Sequence, residues 1–233
     1  MFHILWFLKD EMFHVEQDDQ SFHFLDHFMQ GAHKLGLSFS EEILCKFGLY
    51  YDELRRWDRS INLTGLRTED ERTVLLFVDS LAGHLALRND QDAKIVDIGT
   101  GGGFPGIPLK LALPALDVVL MEPRSNKTAF LHNIIGKLEL SKISVLQRRL
   151  EDVDCMAVHE EKCDVAMCKG VNVDHIYPHL DRILKKNGKL VVFRSKNIDN
   201  HSRPKGMVVF EELSYDLPFG YGSRVLSVLK FES

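Results

Sequence analysis

A glycine-rich turn between a short apolar run and a helical pattern constrains the fold of this chain more than any other feature. The apolar run is Lys94–Ile98, the turn occupies residues 99–103, and Pro105 lies close to the start of the next helix. Glycines allow a sharp backbone bend and let a ligand approach the main chain closely. The N-terminus of the following helix offers unpaired N–H groups to an anion or a carboxylate. We therefore expect a nucleotide-type cofactor to bind at this turn.

From residue 90 onward, short apolar runs alternate with helical patterns. Strands are predicted at 94–98, 117–121, 143–147, 164–167 and 189–193, and helical segments at 107–113, 125–137, 150–158 and 174–185. Such alternation indicates right-handed βαβ crossovers and a parallel sheet with helices on both faces. Two further extended runs, 207–213 and 224–231, have no helix between them and predict an antiparallel pair on one edge. The expected fold class is α/β: a doubly wound, mostly parallel seven-stranded sheet with an antiparallel last strand.

Apolar spacing predicts helices in the first 90 residues. One amphipathic pattern covers residues 22–35, a second begins after the N-cap residue Ser40, and a third begins with a capping box at Thr68. We therefore expect an N-terminal helical extension, residues 1–90, and an α/β domain, residues 91–233, which together form a single globular unit.

The composition is that of an ordinary globular protein, with 45% hydrophobic and 27% charged residues in a chain of 233. No stretch approaches the ~20 apolar residues that a membrane span requires. The apolar residues 1–8 lack a basic lead-in and a small-residue cleavage site, so no signal peptide is expected. We therefore expect a cytoplasmic protein that does not associate with membranes.

The cysteines and histidines form no evident metal site in the sequence. The four cysteines contain no CxxC pair and no zinc spacing, and we interpret them as reduced thiols. His175 and His179 would share one face of a helix, but Pro178 lies between them and no third ligand is evident. No metal is expected.

The net charge of −5 is unevenly distributed. Residues 1–120 carry 11 Lys and Arg against 19 Asp and Glu, whereas residues 121–233 carry 18 against 15. A basic face on the second part would suit nucleic acid, and an ordinary solvated surface explains the count equally well. The charge therefore leaves the partner open.

The glycine pattern does not distinguish a nicotinamide dinucleotide from S-adenosylmethionine, because both place a ribose beside an acid at the end of the second strand. Here that acid is Glu122. Asp97 favours S-adenosylmethionine, since an acid two residues before Gly99 can meet the cofactor's ammonium group, directly or through water. The antiparallel final pair is also typical of methyltransferases. The adenine is expected beside Glu151, which offers an acid to its amine, and Leu150, which offers an apolar wall.

Three stretches of the chain carry a family resemblance: residues 57–64, residues 78–81 and residues 97–109. The last continues the turn as Gly-Phe-Pro-Gly-Ile-Pro-Leu, which is far more specific than a glycine count. The sequence thereby resembles the bacterial small-subunit ribosomal RNA guanine-N7 methyltransferases, the RsmG or GidB family, from about residue 41 to 230. The resemblance implies the S-adenosylmethionine-dependent methyltransferase fold and methyl transfer to N7 of a guanine in 16S ribosomal RNA. The partner would be that RNA or the small ribosomal subunit, and the enzyme is expected to be a monomer.

The resemblance also implies roles for individual residues. Gly99 and Phe104 would line the methionine part of the cofactor, and Glu122 would take the ribose. Lys169 stands where the family has an arginine after its fourth strand, and it would position substrate or cofactor. No general base is expected, because N7 has a free lone pair and no proton. The expected cofactor-binding residues are Asp97, Gly99, Thr100, Gly101, Phe104, Glu122, Leu150, Glu151 and Lys169.

The side expected to face RNA departs from the family pattern. Leu75 and Leu76 replace an Arg-His pair, and Arg194 with Ser195 replaces Lys-Gly after the fifth strand. Candidate phosphate contacts are Arg148, Arg149, Arg194, Lys196, Arg203 and Lys205. Three alternatives stay open: a methyltransferase of this fold that acts on a small molecule or a protein, a cofactor-binding protein without turnover, and a dinucleotide oxidoreductase.

Overall fold

Three helical runs precede the sheet in the computed structural model, which describes residues 19–152, 162–198 and 206–232. The first two are α1 (Asp19–Lys34) and α2 (Glu41–Ile61). The third begins as α3 (Glu69–Arg72), passes through a π-helical turn (Thr73–Val78) and α4 (Asp79–Leu81), and ends as a 3₁₀ helix (Ala82–Leu87). Both predicted N-caps are confirmed, since Ser40 accepts from the backbone of α2 and the capping box at Thr68 is complete.

Seven strands form one sheet in the order β3-β2-β1-β4-β5-β7-β6. Strands β1 to β5 pair in parallel, and β7 runs antiparallel to both β5 and β6. The predicted sheet, mostly parallel with an antiparallel last strand, is therefore confirmed. The strands are β1 (Lys94–Ile98), β2 (Asp117–Met121), β3 (Ile143–Leu146), β4 (Cys163–Lys169), β5 (Leu184–Arg194), β6 (Met207–Asp216) and β7 (Ser223–Phe231).

Helices connect the strands along the chain. One of the predicted helices does not form. The helices are α5 (Gly106–Ala112), α6 (Ser125–Lys137) and α7 (Leu180–Ile183), with a 3₁₀ turn at Leu150–Asp152. Residues 174–185 were expected to form one helix, but they form two 3₁₀ turns and α7, and β5 already begins at Leu184. Pro178 cannot donate an N–H and disfavours α-helix at the residue before it. Residues 153–158 of the other predicted helix lie outside the described residues.

The helical extension and the sheet share one hydrophobic core. Phe77 is fully buried at its centre, and its ring lies 5.0 Å from the rings of both Tyr50 and Phe104. Tyr50 also donates its hydroxyl to the Gly102 carbonyl over 2.5 Å. Each buried aromatic side chain contributes ~1.5–3 kcal/mol. The extension therefore fixes the position of the glycine turn.

A buried carboxylate connects α2 to α6. Glu53 contacts Arg56 at 2.6 Å, and it also accepts from Lys137 at 2.7 Å and from Asn133 at 3.0 Å. Burial by itself would raise the pKa of Glu53. The hydrogen bonds from Lys137 and Asn133 and the charges of Lys137 and Arg56 outweigh it, so the pKa lies below its usual value.

Replacing Glu53 with glutamine is expected to lower the free energy of unfolding by ~1–2 kcal/mol at pH 7. Because the pKa is lowered on folding, this contribution is present above the usual value of ~4.3 and is lost as the pH falls through the folded value. Urea denaturation of both proteins at pH 7 and pH 3 measures the difference. Glu42→Gln is the control, since exposed Glu42 pairs with Lys46 on the same helix and should contribute below ~0.5 kcal/mol. Equal losses in the two variants would contradict the prediction.

None of the described helices is both long and apolar enough to cross a membrane. Cys163 and Cys168 are buried free thiols, Cys45 is a partly buried one, and Cys155 lies outside the described residues. His175 and His179 fall in separate 3₁₀ turns, so they do not present one helical face.

Candidate active site

A cavity of about 450 Å³ opens at the carboxyl ends of the parallel strands. Its floor is the turn after β1, with Gly99, Thr100, Gly101 and Phe104. The helical extension supplies one wall, and β4, β5 and β7 supply cationic side chains. The volume is in the range of small-molecule sites, and the carboxyl edge is where open α/β sheets bind ligands.

The turn has a backbone that only glycine adopts easily. Gly99 has φ +71° and Gly103 has φ +98°, both in the left-handed region. A Cβ at Gly103 would lie 2.5 Å from Ile107 and 2.7 Å from the Tyr50 hydroxyl, and one at Gly99 would lie 2.8 Å from Val171. Packing and backbone conformation thus both require glycine at these positions.

Asp97 lies beneath the turn and is fully buried. One carboxylate oxygen, Oδ2, accepts from the Thr100 hydroxyl at 2.6 Å and from the Gly106 N–H at 2.8 Å. The other, Oδ1, has no hydrogen-bond partner among the described residues. Burial raises the pKa of Asp97 to about 7, although these hydrogen bonds and the charge of Lys169 act in the opposite direction. Asp97 therefore shapes the turn and keeps one buried acceptor free.

Glu122 holds the turn from the end of β2. One of its oxygens accepts from the Gly101 N–H at 3.1 Å, and the other accepts from the Arg124 N–H at 3.0 Å. The side chain is 5% exposed and lies next to the cavity floor without lining it. Glu122 therefore fastens the turn to the end of β2, and its predicted contact with a ribose stays a prediction.

Lys169, at the end of β4, reaches across the cavity to the helical extension. Its Nζ donates to the Leu75 carbonyl and lies 3.1 Å from Asp79. Asp79 is 6% exposed and also accepts from the Tyr215 hydroxyl at 2.6 Å. Burial first, and then the charge of Asp79, raise the pKa of Tyr215. Neither Asp79 nor Tyr215 was predicted to belong to the site, although Asp79 is conspicuous as an acid within an apolar helical pattern.

Residues 43–215 match the family model described as rRNA small subunit methyltransferase G. The chain belongs to this family. Ribosomal RNA small subunit methyltransferase G of Lachnoclostridium phytofermentans is 36% identical over 211 residues, which cover 87% of each chain. The Carboxydothermus hydrogenoformans protein of the same name is 32% identical over 205 residues, 84% of this chain and 87% of that one.

Solved structures show the fold of this member of the methyltransferase G family. TrmN from Thermus thermophilus superposes with a TM-score of 0.53 at 14% identity, over 76% of this chain and 53% of that one. A mutant of MtNAS superposes with a TM-score of 0.56 at 14% identity, over 100% of this chain and 97% of that one. With the observed strand order, the fold is that of the S-adenosylmethionine-dependent methyltransferases, as the sequence predicted.

The adenine-side residues of this methyltransferase G family member lie apart from the cavity. Leu150 is buried, whereas Glu151 is exposed and lies 3.8 Å from Arg149. Neither side chain lines the cavity. Their assignment to the adenine stays a prediction.

Of the described residues that were predicted to contact RNA, only some line the cavity. Arg194 lines it, while Arg148 and Lys196 are exposed beyond the ends of β3 and β5. Arg203 and Lys205 lie outside the described residues. Two lining cations were missed: Lys127, whose Nζ donates to the Leu63 carbonyl at 3.1 Å, and Arg224. Arg224 is the second residue of β7, and the start of an antiparallel strand lies at the carboxyl edge of its parallel neighbours. The predicted antiparallel run at residues 224–231 could therefore have indicated Arg224 as a residue of the site.

Proposed function

We propose that this chain transfers a methyl group from S-adenosylmethionine to N7 of a guanine in small-subunit ribosomal RNA. The observation that carries the proposal is the cavity itself, which lies between the glycine turn and the cations Lys127, Lys169, Arg194 and Arg224. The names of the curated relatives support the RNA substrate. The proposed enzyme acts as a monomer in the cytoplasm, where ribosomal subunits are present.

The residues at the turn fit S-adenosylmethionine, which supplies a methyl group on a positively charged sulfur. The unpaired Oδ1 of Asp97 is a buried acceptor of the kind that an ammonium group requires. Glu122, beside Gly101, would take the ribose, and Phe104 would pack on the methionine part. Leu150 and Glu151 would take the adenine. Gly101 lines the cavity with φ +59°, a backbone conformation that favours glycine.

The guanine needs positioning more than activation. Its N7 carries a lone pair and no proton, so attack on the methyl carbon requires no base, and catalysis rests on alignment and exclusion of water. Lys169 or Arg194 would hold guanine O6 or a neighbouring phosphate. Because N7 faces the deep, narrow major groove of A-form RNA, the target guanine must lie in a loop or leave its stack.

Methyl transfer to purified small subunits tests the proposal. With labelled S-adenosylmethionine and subunits from cells that lack this gene, we expect label in 16S RNA, mapped by mass spectrometry to N7 of a guanine. Arg224→Gln should lower kcat/KM for the subunit about tenfold, since one contact to RNA is lost, and leave cofactor affinity unchanged. Arg88→Gln is the control, because Arg88 precedes β1 at the opposite edge of the sheet and pairs with Glu211. Absence of label in RNA would refute the proposed function.

A further inference from the structure

Two histidines and one aspartate meet on the surface of the helical extension, outside the cavity. His23 and His27 lie one turn apart on α1, and Asp70 lies in α3. Oδ1 of Asp70 is 3.0 Å from Nδ1 of His27 and 3.8 Å from Nδ1 of His23. The three potential ligand atoms all lie within 4.8 Å of one another.

We propose that these three side chains bind a divalent transition metal, with Zn²⁺ as the best match. Two imidazoles and one carboxylate are a ligand set that suits zinc, nickel and copper better than magnesium or calcium. Tetrahedral coordination with bonds of ~2.0–2.1 Å places ligand atoms about 3.3 Å apart. The observed separations of 3.0 and 3.8 Å lie on either side of that value. Water fills the fourth position.

The helix places both imidazoles beside the same carboxylate oxygen. The i, i+4 spacing on α1 brings the ring centroids of His23 and His27 to 4.0 Å from each other, and Asp70 contacts His27 through a hydrogen bond. The His27 ring also packs on Phe219 of the β6–β7 loop at 4.4 Å. This packing contact restrains the orientation of the His27 ring.

The bound metal crosslinks α1 to the start of the third helical run. That run continues to Leu75 and Asp79, which hold Lys169 at the cavity. A metal that binds only the folded state stabilises the fold by an amount that grows with the logarithm of the ratio of metal concentration to Kd.

Titration of the chelator-treated full chain, without a histidine tag, tests the site. We expect Zn²⁺ binding by calorimetry, tetrahedral bands in the visible spectrum when Co²⁺ is used, and a higher melting temperature with Zn²⁺. His23→Gln and Asp70→Asn should each weaken this binding by more than about 100-fold, since even loss of an outer contact costs about 10–100-fold. Their melting temperatures should not respond to Zn²⁺.

His33→Gln is the matched control, because His33 is an exposed histidine of the same helix outside the cluster. It should bind Zn²⁺ like the wild type. Melting curves without metal show whether each variant folds. Equal Zn²⁺ affinity in the wild type, His23→Gln and Asp70→Asn, or no binding by the wild type at micromolar Zn²⁺, would overturn the proposal.

Discussion

Replacing Lys169 with methionine is expected to lower the free energy of unfolding by about 3 kcal/mol. The substitution keeps the length of the side chain but leaves the carboxylate of Asp79, which is 6% exposed, with the Tyr215 hydroxyl as its remaining partner in the cluster. A buried charge loses its hydration. Without an oppositely charged partner or hydrogen bonds to make up for that loss, it destabilises the folded state. Urea denaturation at pH 7 measures the loss.

The double variant Lys169→Met with Asp79→Asn is the control for this prediction. Removal of both charges should recover most of the lost stability, since no buried charge is left without a partner. Lys169→Arg, which restores the residue that the resemblance implies, should stay within about 1 kcal/mol of the wild type. If the single and double variants were equally unstable, the ion pair would not be the cause. The stable double variant also allows cofactor affinity to be measured without the loss of the fold.

Replacing Asp97 with asparagine is expected to weaken S-adenosylmethionine binding about 10–100-fold, the cost of one charge-assisted hydrogen bond in a buried site. The asparagine carbonyl can still accept from Thr100 and Gly106, so the turn keeps its hydrogen bonds. Calorimetry with the purified proteins measures the affinity. Asp117→Asn, at the opposite end of β2, is the control and should change the affinity less than about twofold.

The pH dependence of binding provides a second measurement for Asp97. Burial raises its pKa to about 7, so much of the carboxylate is protonated at pH 6 and ionised at pH 7.5. The cofactor's ammonium group attracts the ionised form, and wild-type affinity should therefore rise over this interval while that of Asp97→Asn stays flat. The stability of the cofactor-free protein depends on pH in the opposite direction. A raised carboxyl pKa favours the protonated folded state, so its contribution to stability declines as the pH rises from ~4 through 7. Identical binding profiles for both proteins would exclude a role for Asp97 in binding the cofactor.

The sequence by itself determined the elements of the fold, because local periodicity records which side of each segment is buried. Strands β1 and β2 and helix α6 have the predicted bounds, and the capping box at Thr68 forms as expected. The glycine turn and the acids beside it were also predictable, since Asp97 and Glu122 lie at strand ends that a parallel sheet brings to one edge. The helix predicted at residues 174–185 was wrong, because Pro178 outweighed the apolar spacing.

Only the tertiary structure decided which distant side chains meet. Lys169 and Tyr215 both contact Asp79 because the helical extension packs over the ends of β4 and β6. Arg224 reaches the cavity because β7 runs antiparallel to β5. His27 and Asp70 are 43 residues apart and approach through the packing of α1 against the third helical run. Spacing along the chain carries no information on such contacts. These contacts depend on how the apolar faces of the elements pack against one another across the core. Side-chain shape determines that packing, and periodicity does not.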